Sequence, residues 1–182
     1  MRQTRKRHSQ RGFTLVETLI AMVVLGVGIL GLAAMLGASL AYMNGSQEDF
    51  VAQQKAEEAA EAIFTAKYNS NATFAQVSNF SAGNPAGLFL SGPQPLTVPG
   101  PDGLVGSVND GAAPLASIIT PGPDKILGTL DDVQIPLNNF TRTIAITTVV
   151  GKPNLKQVLI TINYTAGGFN RVYTLTTYVS SF

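Results

Sequence analysis

The sequence predicts an α+β fold, a long N-terminal α-helix packed on a C-terminal antiparallel β-sheet of three or more strands. Three observations carry this. Phe13 to Met43 is almost wholly apolar. Ala52, Ala56, Ala59, Ile63 and Ala66 recur at the spacings of one helical face. Residues 142–150, 157–165 and 171–179 are rich in β-branched and aromatic side chains.

The apolar run is interrupted in polarity only by Thr14, Glu17, Thr18, Ser39 and Tyr42. At about 1.5 Å rise per residue, roughly 20 residues cross a bilayer core of about 30 Å. The first half of the helix is therefore expected to span a membrane. Five of the twelve Lys and Arg (Arg2, Arg5, Lys6, Arg7, Arg11) precede it. From Phe13 onward there are seven basic and eleven acidic residues. This asymmetry places the N-terminus in the cytoplasm and the rest outside. "GVGILG" (26–31) matches a G-x-G-x-x-G pattern, but it lacks the preceding strand and βαβ unit a nucleotide site needs. Glycines here suit close packing or local flexibility in a membrane helix.

After Tyr42, "NGSQED" leaves two readings open. Ser46 and Asp49 form a capping-box-like pair that starts a second helix, or the segment is a soft spot in one long helix. Beyond it, residues 44–68 read as an amphipathic helix with Glu57, Glu58 and Glu61 off the apolar stripe, on a solvated face.

Residues 69–139 form a Gly/Pro-rich loop region. Nine of eighteen glycines and eight of ten prolines lie in 81–128, so regular structure is not expected there. Within it, "PGPDGLVGSVND" (99–110) aligns without gaps on "PGPDKILGTLDD" (121–132). Calcium takes six to eight oxygens from carboxylates, amides and carbonyls in a flexible loop. Asp124, Asp131 and Asp132, assisted by Thr129, are the candidate Ca2+ ligands. Asp102, Asn109 and Asp110 are their weaker counterparts. The competing reading is that Asp and Asn simply form turns beside Gly and Pro.

Residues 140–182 read as the sheet. Ile144, Ile146, Val150, Val158, Ile160, Ile162 and Tyr164 alternate onto one face, expected to pack on the helix stripe. The opposite face is threonine-rich. "GKPNL" and "AGGFN" are expected as short hairpin loops.

Composition excludes several functions. There is no cysteine, and the single histidine, His8, precedes the apolar run. A disulfide, a thiolate nucleophile, a His-based triad and a His-ligated zinc site in the folded part are thereby ruled out. The acidic balance after Gly12 argues against nucleic-acid binding by the head.

A secretory signal places its small cleavage residue after the apolar stretch. Here Gly12 precedes it. The basic leader, Gly12 and "FTLVETLIAMVVLGVGILGLAA" resemble the class III signal of the type IV pilin-like family. The resemblance covers about residues 11–40. It implies a leader, 1–12, cut after Gly12 by prepilin peptidase, and an N-methylated Phe13 as the new terminus. Residues 13–43 would then be the transmembrane and assembly helix, with Glu17 its assembly carboxylate. Such a charge costs on the order of 2–3 kcal/mol at mid-span, less near an end, and calls for a partner. The α-amino group of Phe13 on a neighbouring chain would supply one and fix register.

The family also implies a pilin-like fold, a non-enzymatic role, and inner-membrane anchoring with a periplasmic head. Its partners would be other pilin or pseudopilin subunits and an inner-membrane assembly platform. The stretch "MVVLGVGILGLAAM" most resembles the anchors of minor pilins called type IV pilus modification proteins, the PilV type. The alternatives are a type II secretion pseudopilin, some of whose calcium loops the second acidic segment loosely resembles, and a membrane-tethered adhesin or DNA-uptake subunit. The last reading is a single-pass domain that never polymerises.

Overall fold

The computed structural model describes residues 14–69 and 72–181. Gly12 and Phe13 lie outside the described residues. One helix, α1 (Leu15–Tyr68), is followed by six strands: β1 (Gln94–Pro95), β2 (Ser117–Thr120), β3 (Val133–Pro136), β4 (Phe140–Val149), β5 (Lys152–Ala166) and β6 (Phe169–Ser180). A 3₁₀ turn, Asp110–Ala112, lies between β1 and β2. The chain divides into two compact units, Met1–Met43 and Asn44–Phe182.

In the first unit α1 is apolar all round, and is long and apolar enough to cross a membrane by length and composition. Thr14 opens it. The Glu17 amide donates to Thr14 O at 3.1 Å and to Thr14 Oγ1 at 3.3 Å, satisfying an amide that has no intrahelical partner. Gly26, Gly28, Gly31 and Gly37 face open space, where an added Cβ would meet nothing.

In the second unit the remainder of α1 packs on the sheet. Ala52, Ala56, Ala59, Ile63 and Ala66 are buried, as the periodicity predicts. The "NGSQED" ambiguity resolves as one helix, since α1 runs through it without a break.

The main sheet has the order β1-β4-β5-β6 and is antiparallel throughout. Ile144 faces Ile160, Ile146 faces Val158, and Phe140 faces Tyr164, whose rings stack at 5.3 Å. Val150 departs from the expected alternation and is exposed. The register shifts between Thr148 and Val149, and Val150 sits in the turn with Gly151 at φ +76°. Of "GKPNL", only Gly151 belongs to the turn and residues 152–155 are strand, since β5 already begins at Lys152. The β5–β6 turn is Gly167–Gly168, both at positive φ, as a two-residue hairpin requires.

The region 81–128 also corrects its expectation. β1 pairs with β4 (Gln94 opposite Arg142), and β2 pairs with β3 as a separate two-stranded ribbon. Gly and Pro punctuate short extended pieces there rather than abolish them.

Two side chains fasten the 72–80 segment to the sheet. Asn79 Nδ2 donates to Ile144 O at 2.7 Å, and Asn79 Oδ1 accepts from the Ile146 amide at 2.8 Å. The side-chain amide thus replaces a neighbouring strand where β1 has ended. Lys156 Nζ donates to Phe74 O and Val77 O at 2.6 and 2.8 Å, and lies over the Phe74 ring. Burial pushes its pKa down.

Candidate functional site

Glu17 lies in the first turn of α1 and is exposed. A carboxylate there complements the positive end of the helix dipole. The predicted processing residues, Gly12 and Phe13, fall outside the described residues, and so does the amine proposed to pair with Glu17.

The two acidic segments share three matched hydrogen bonds. Asp102 Oδ1 accepts from the Leu104 amide at 3.0 Å, and Asp124 Oδ1 from the Ile126 amide at 2.8 Å. Gly103 N donates to Gly100 O at 2.9 Å, and Lys125 N to Gly122 O at 3.0 Å. Asp110 Oδ2 accepts from the Gly106 amide, and Asp132 Oδ2 from the Gly128 amide. Both glycines have positive φ, as do the matched Gly103 and Lys125. Each copy is an aspartate turn closed by a second aspartate four residues after the glycine, chemistry in which the side chain mimics a backbone turn.

Further side-chain bonds hold the carboxylates within each copy. In the first copy Ser107 Oγ donates to Asp102 and Asp110, and Asn109 Nδ2 donates to Asp102 Oδ2 at 3.0 Å. Burial acts to raise the Asp102 pKa, but these donors and the Leu104 amide outweigh it and hold the carboxyl below its ordinary value. In the second copy Thr129 Oγ1 donates to Asp131 Oδ1 at 2.6 Å, and the Asp124 amide donates to Asp131 Oδ2. The same two donors, Thr129 first, lower the Asp131 pKa. Asp132 Oδ1 is the one carboxylate oxygen in this loop that is buried without a partner. Among the described residues no three acidic or histidine side chains converge to hold a metal ion.

Two clusters escaped sequence reasoning. Asp49, on α1, accepts from Tyr164 OH at 2.6 Å through Oδ1 and from Arg171 Nη1 at 2.6 Å through Oδ2. The Tyr164 hydroxyl, then Arg171, hold its pKa below the ordinary value against the opposing effect of burial. Burial, reinforced by Asp49, pushes Tyr164 up to about 12. Gly45, one turn earlier, leaves room for the guanidinium, since a Cβ there would lie 3.2 Å from Arg171 Nη2. The second cluster centres on Arg142, on the core face of β4 and only 2% exposed. Among the described residues none of its three side-chain nitrogens has a hydrogen-bond partner, and Glu58 and Asp110 balance part of its charge. No pattern in the sequence marks either cluster, because the partners are 115 or more residues apart for Asp49.

Residues 7–33 match the family described as Prokaryotic N-terminal methylation motif. That motif fits a type IV pilin or pseudopilin. No curated protein and no solved structure matches the chain significantly. Motif and fold together support a type IV pilin-like class: a methylation signal, a helix long and apolar enough to cross a membrane, and an α+β architecture.

Proposed function

We propose that the protein is a minor pilin of a type IV pilus, of the type IV pilus modification class. Prepilin peptidase cuts it after Gly12, Phe13 is methylated, and the subunit waits in the inner membrane with its head in the periplasm. An inner-membrane platform then adds it to other pilin subunits through the N-terminal helix, and Glu17 is neutralised by the Phe13 amine of a neighbour. The subunit's role is structural. The methylation motif over residues 7–33 is the observation that carries this reading. The apolar circumference of α1 up to Met43 supports it, since each of its faces suits lipid or a neighbouring helix.

A type II secretion pseudopilin would use the same processing. The loose resemblance of the loop holding Asp124, Asp131 and Asp132 to the calcium loop of some pseudopilins favours that reading. Co-expression with a prepilin peptidase, followed by intact mass and N-terminal sequencing, tests the processing step. The expected product starts at Phe13 and is one methyl heavier. An uncut chain beside a control pilin that is cut would overturn it. Immunogold labelling of sheared pili then separates the pilus from the secretion machine.

A further inference from the structure

The two aspartate turns share a backbone but have opposite fates. In the first copy Leu104 and Val105 are 4% and 1% exposed; their counterparts Ile126 and Leu127 are 60% and 61% exposed. Leu130, matching Val108, is fully exposed. On the ribbon beside the second copy, Val133 and Ile135 share one face and are also exposed. Solvent-facing apolar clusters of this kind mark interaction sites.

The first copy shows what covers such a turn. Leu88–Leu90 runs antiparallel beside it, with Phe89 bridged to Ser107. Leu90 N donates to Gly106 O and Val108 N donates to Leu88 O, both at 2.9 Å. Phe89, between those two bonds, is fully buried. In the second copy the equivalent groups are Gly128 O and Leu130 N, and neither has a hydrogen bond among the described residues. The acceptor, the donor and the apolar floor are thus all present at the second copy without the strand that uses them.

We propose that the second aspartate turn is a strand-addition site for another polypeptide. The occupant is an extended segment that runs antiparallel to residues 128–130. It donates an N–H to Gly128 O, accepts from Leu130 N, and places a large apolar residue between these bonds, over Ile126 and Leu127. Main-chain bonds supply affinity and the central side chain supplies selectivity, as in other strand-addition complexes. Nothing in this surface depends on which filament or machine carries the head.

The probe is a fluorescent synthetic peptide, NPAGLFLS, copied from residues 84–91, titrated into the full-length protein in detergent micelles and followed by anisotropy. Two controls separate strand addition from adhesion of an apolar peptide. The first is the same peptide N-methylated at its second leucine, which keeps its apolar surface but loses the N–H meant for Gly128 O. The second is the double variant Ile126→Ser/Leu127→Ser, whose melting temperature reports that the head is folded. Saturable binding, weakened roughly tenfold or more by either control, is expected from the loss of one main-chain bond or of the apolar floor. Absence of saturable binding at millimolar peptide would overturn the proposal. So would equal affinity for the methylated peptide or the double variant, or self-association through Ile126 and Leu127 without peptide binding.

Discussion

Asp49→Ala removes the acceptor that ties α1 to both β5 and β6. The Tyr164 hydroxyl belongs to a buried residue and would be left without a partner, at a cost of about 1–3 kcal/mol. The Arg171 ion pair is partly exposed, with side chains 35% and 43% accessible, so its loss adds only about 0–1 kcal/mol. Alanine recovers about 0.5 kcal/mol of helix propensity. The net loss is about 2 kcal/mol, or roughly 6–10 °C in Tm for a domain of this size. Tyr164→Phe removes the donor and leaves Asp49 to Arg171 and water, costing about 0.5–1.5 kcal/mol. Thermal and urea denaturation of both variants and of the double variant form a cycle, with a coupling of about 1 kcal/mol expected. A coupling below about 0.3 kcal/mol, or an Asp49→Ala variant as stable as the parent, would refute the reasoning.

The pH dependence has a defined sign. The folded Asp49 pKa lies below its ordinary value of 3.8. Its contribution is therefore present above that pH and is lost as pH falls through the lower folded value. The Tyr164 pKa rises from 10.0 to about 12. Its contribution is complete below pH 10 and disappears as pH rises toward 12. Asp49→Ala should consequently flatten the alkaline limb of the stability curve.

Other outcomes are open to simple measurement. Glu17→Ala should be cleaved after Gly12 yet be missing from sheared filaments; immunoblots of membrane and filament fractions check this, and normal incorporation would remove the pairing role. Lys125→Gly should raise stability by about 0.5–1 kcal/mol, because Lys125 holds φ +59° where the first copy has glycine. Gly122→Ala would bring a Cβ to 2.2 Å from Asp131 O, so faster amide exchange at Gly128 is expected, with little change in global Tm because that turn is exposed. Millimolar calcium or a chelator should shift Tm by less than roughly 1 °C; a larger, saturable shift would show that the ion displaces the turn hydrogen bonds.

Much of the fold is legible in local pattern. The stripe Ala52–Ala66 names the buried face of the helix, and Ile144, Ile146, Val158, Ile160 and Ile162 name the buried face of the sheet, because side-chain direction follows a fixed period in each element. Val150 breaks the alternation because a register shift precedes it and it lies in the turn, and such irregularities depend on how one strand meets another. The repeat was legible too. Its gapless alignment corresponds to matched turns, because aspartate and glycine specify a turn within a few residues of themselves.

By itself, the sequence determined the membrane-length helix, the position of the methylation signal, the α+β order and the duplicated aspartate turn. Each of these depends on residues close together in the chain. Only the tertiary structure decided that Asp49 links helix to sheet, that Arg142 is buried with part of its charge balanced from Glu58 and Asp110, and that one copy of the turn is covered while the other is bare. Those outcomes depend on which distant segments meet, and two stretches identical at six of twelve positions then differ in that Leu88–Leu90 lies against only one of them.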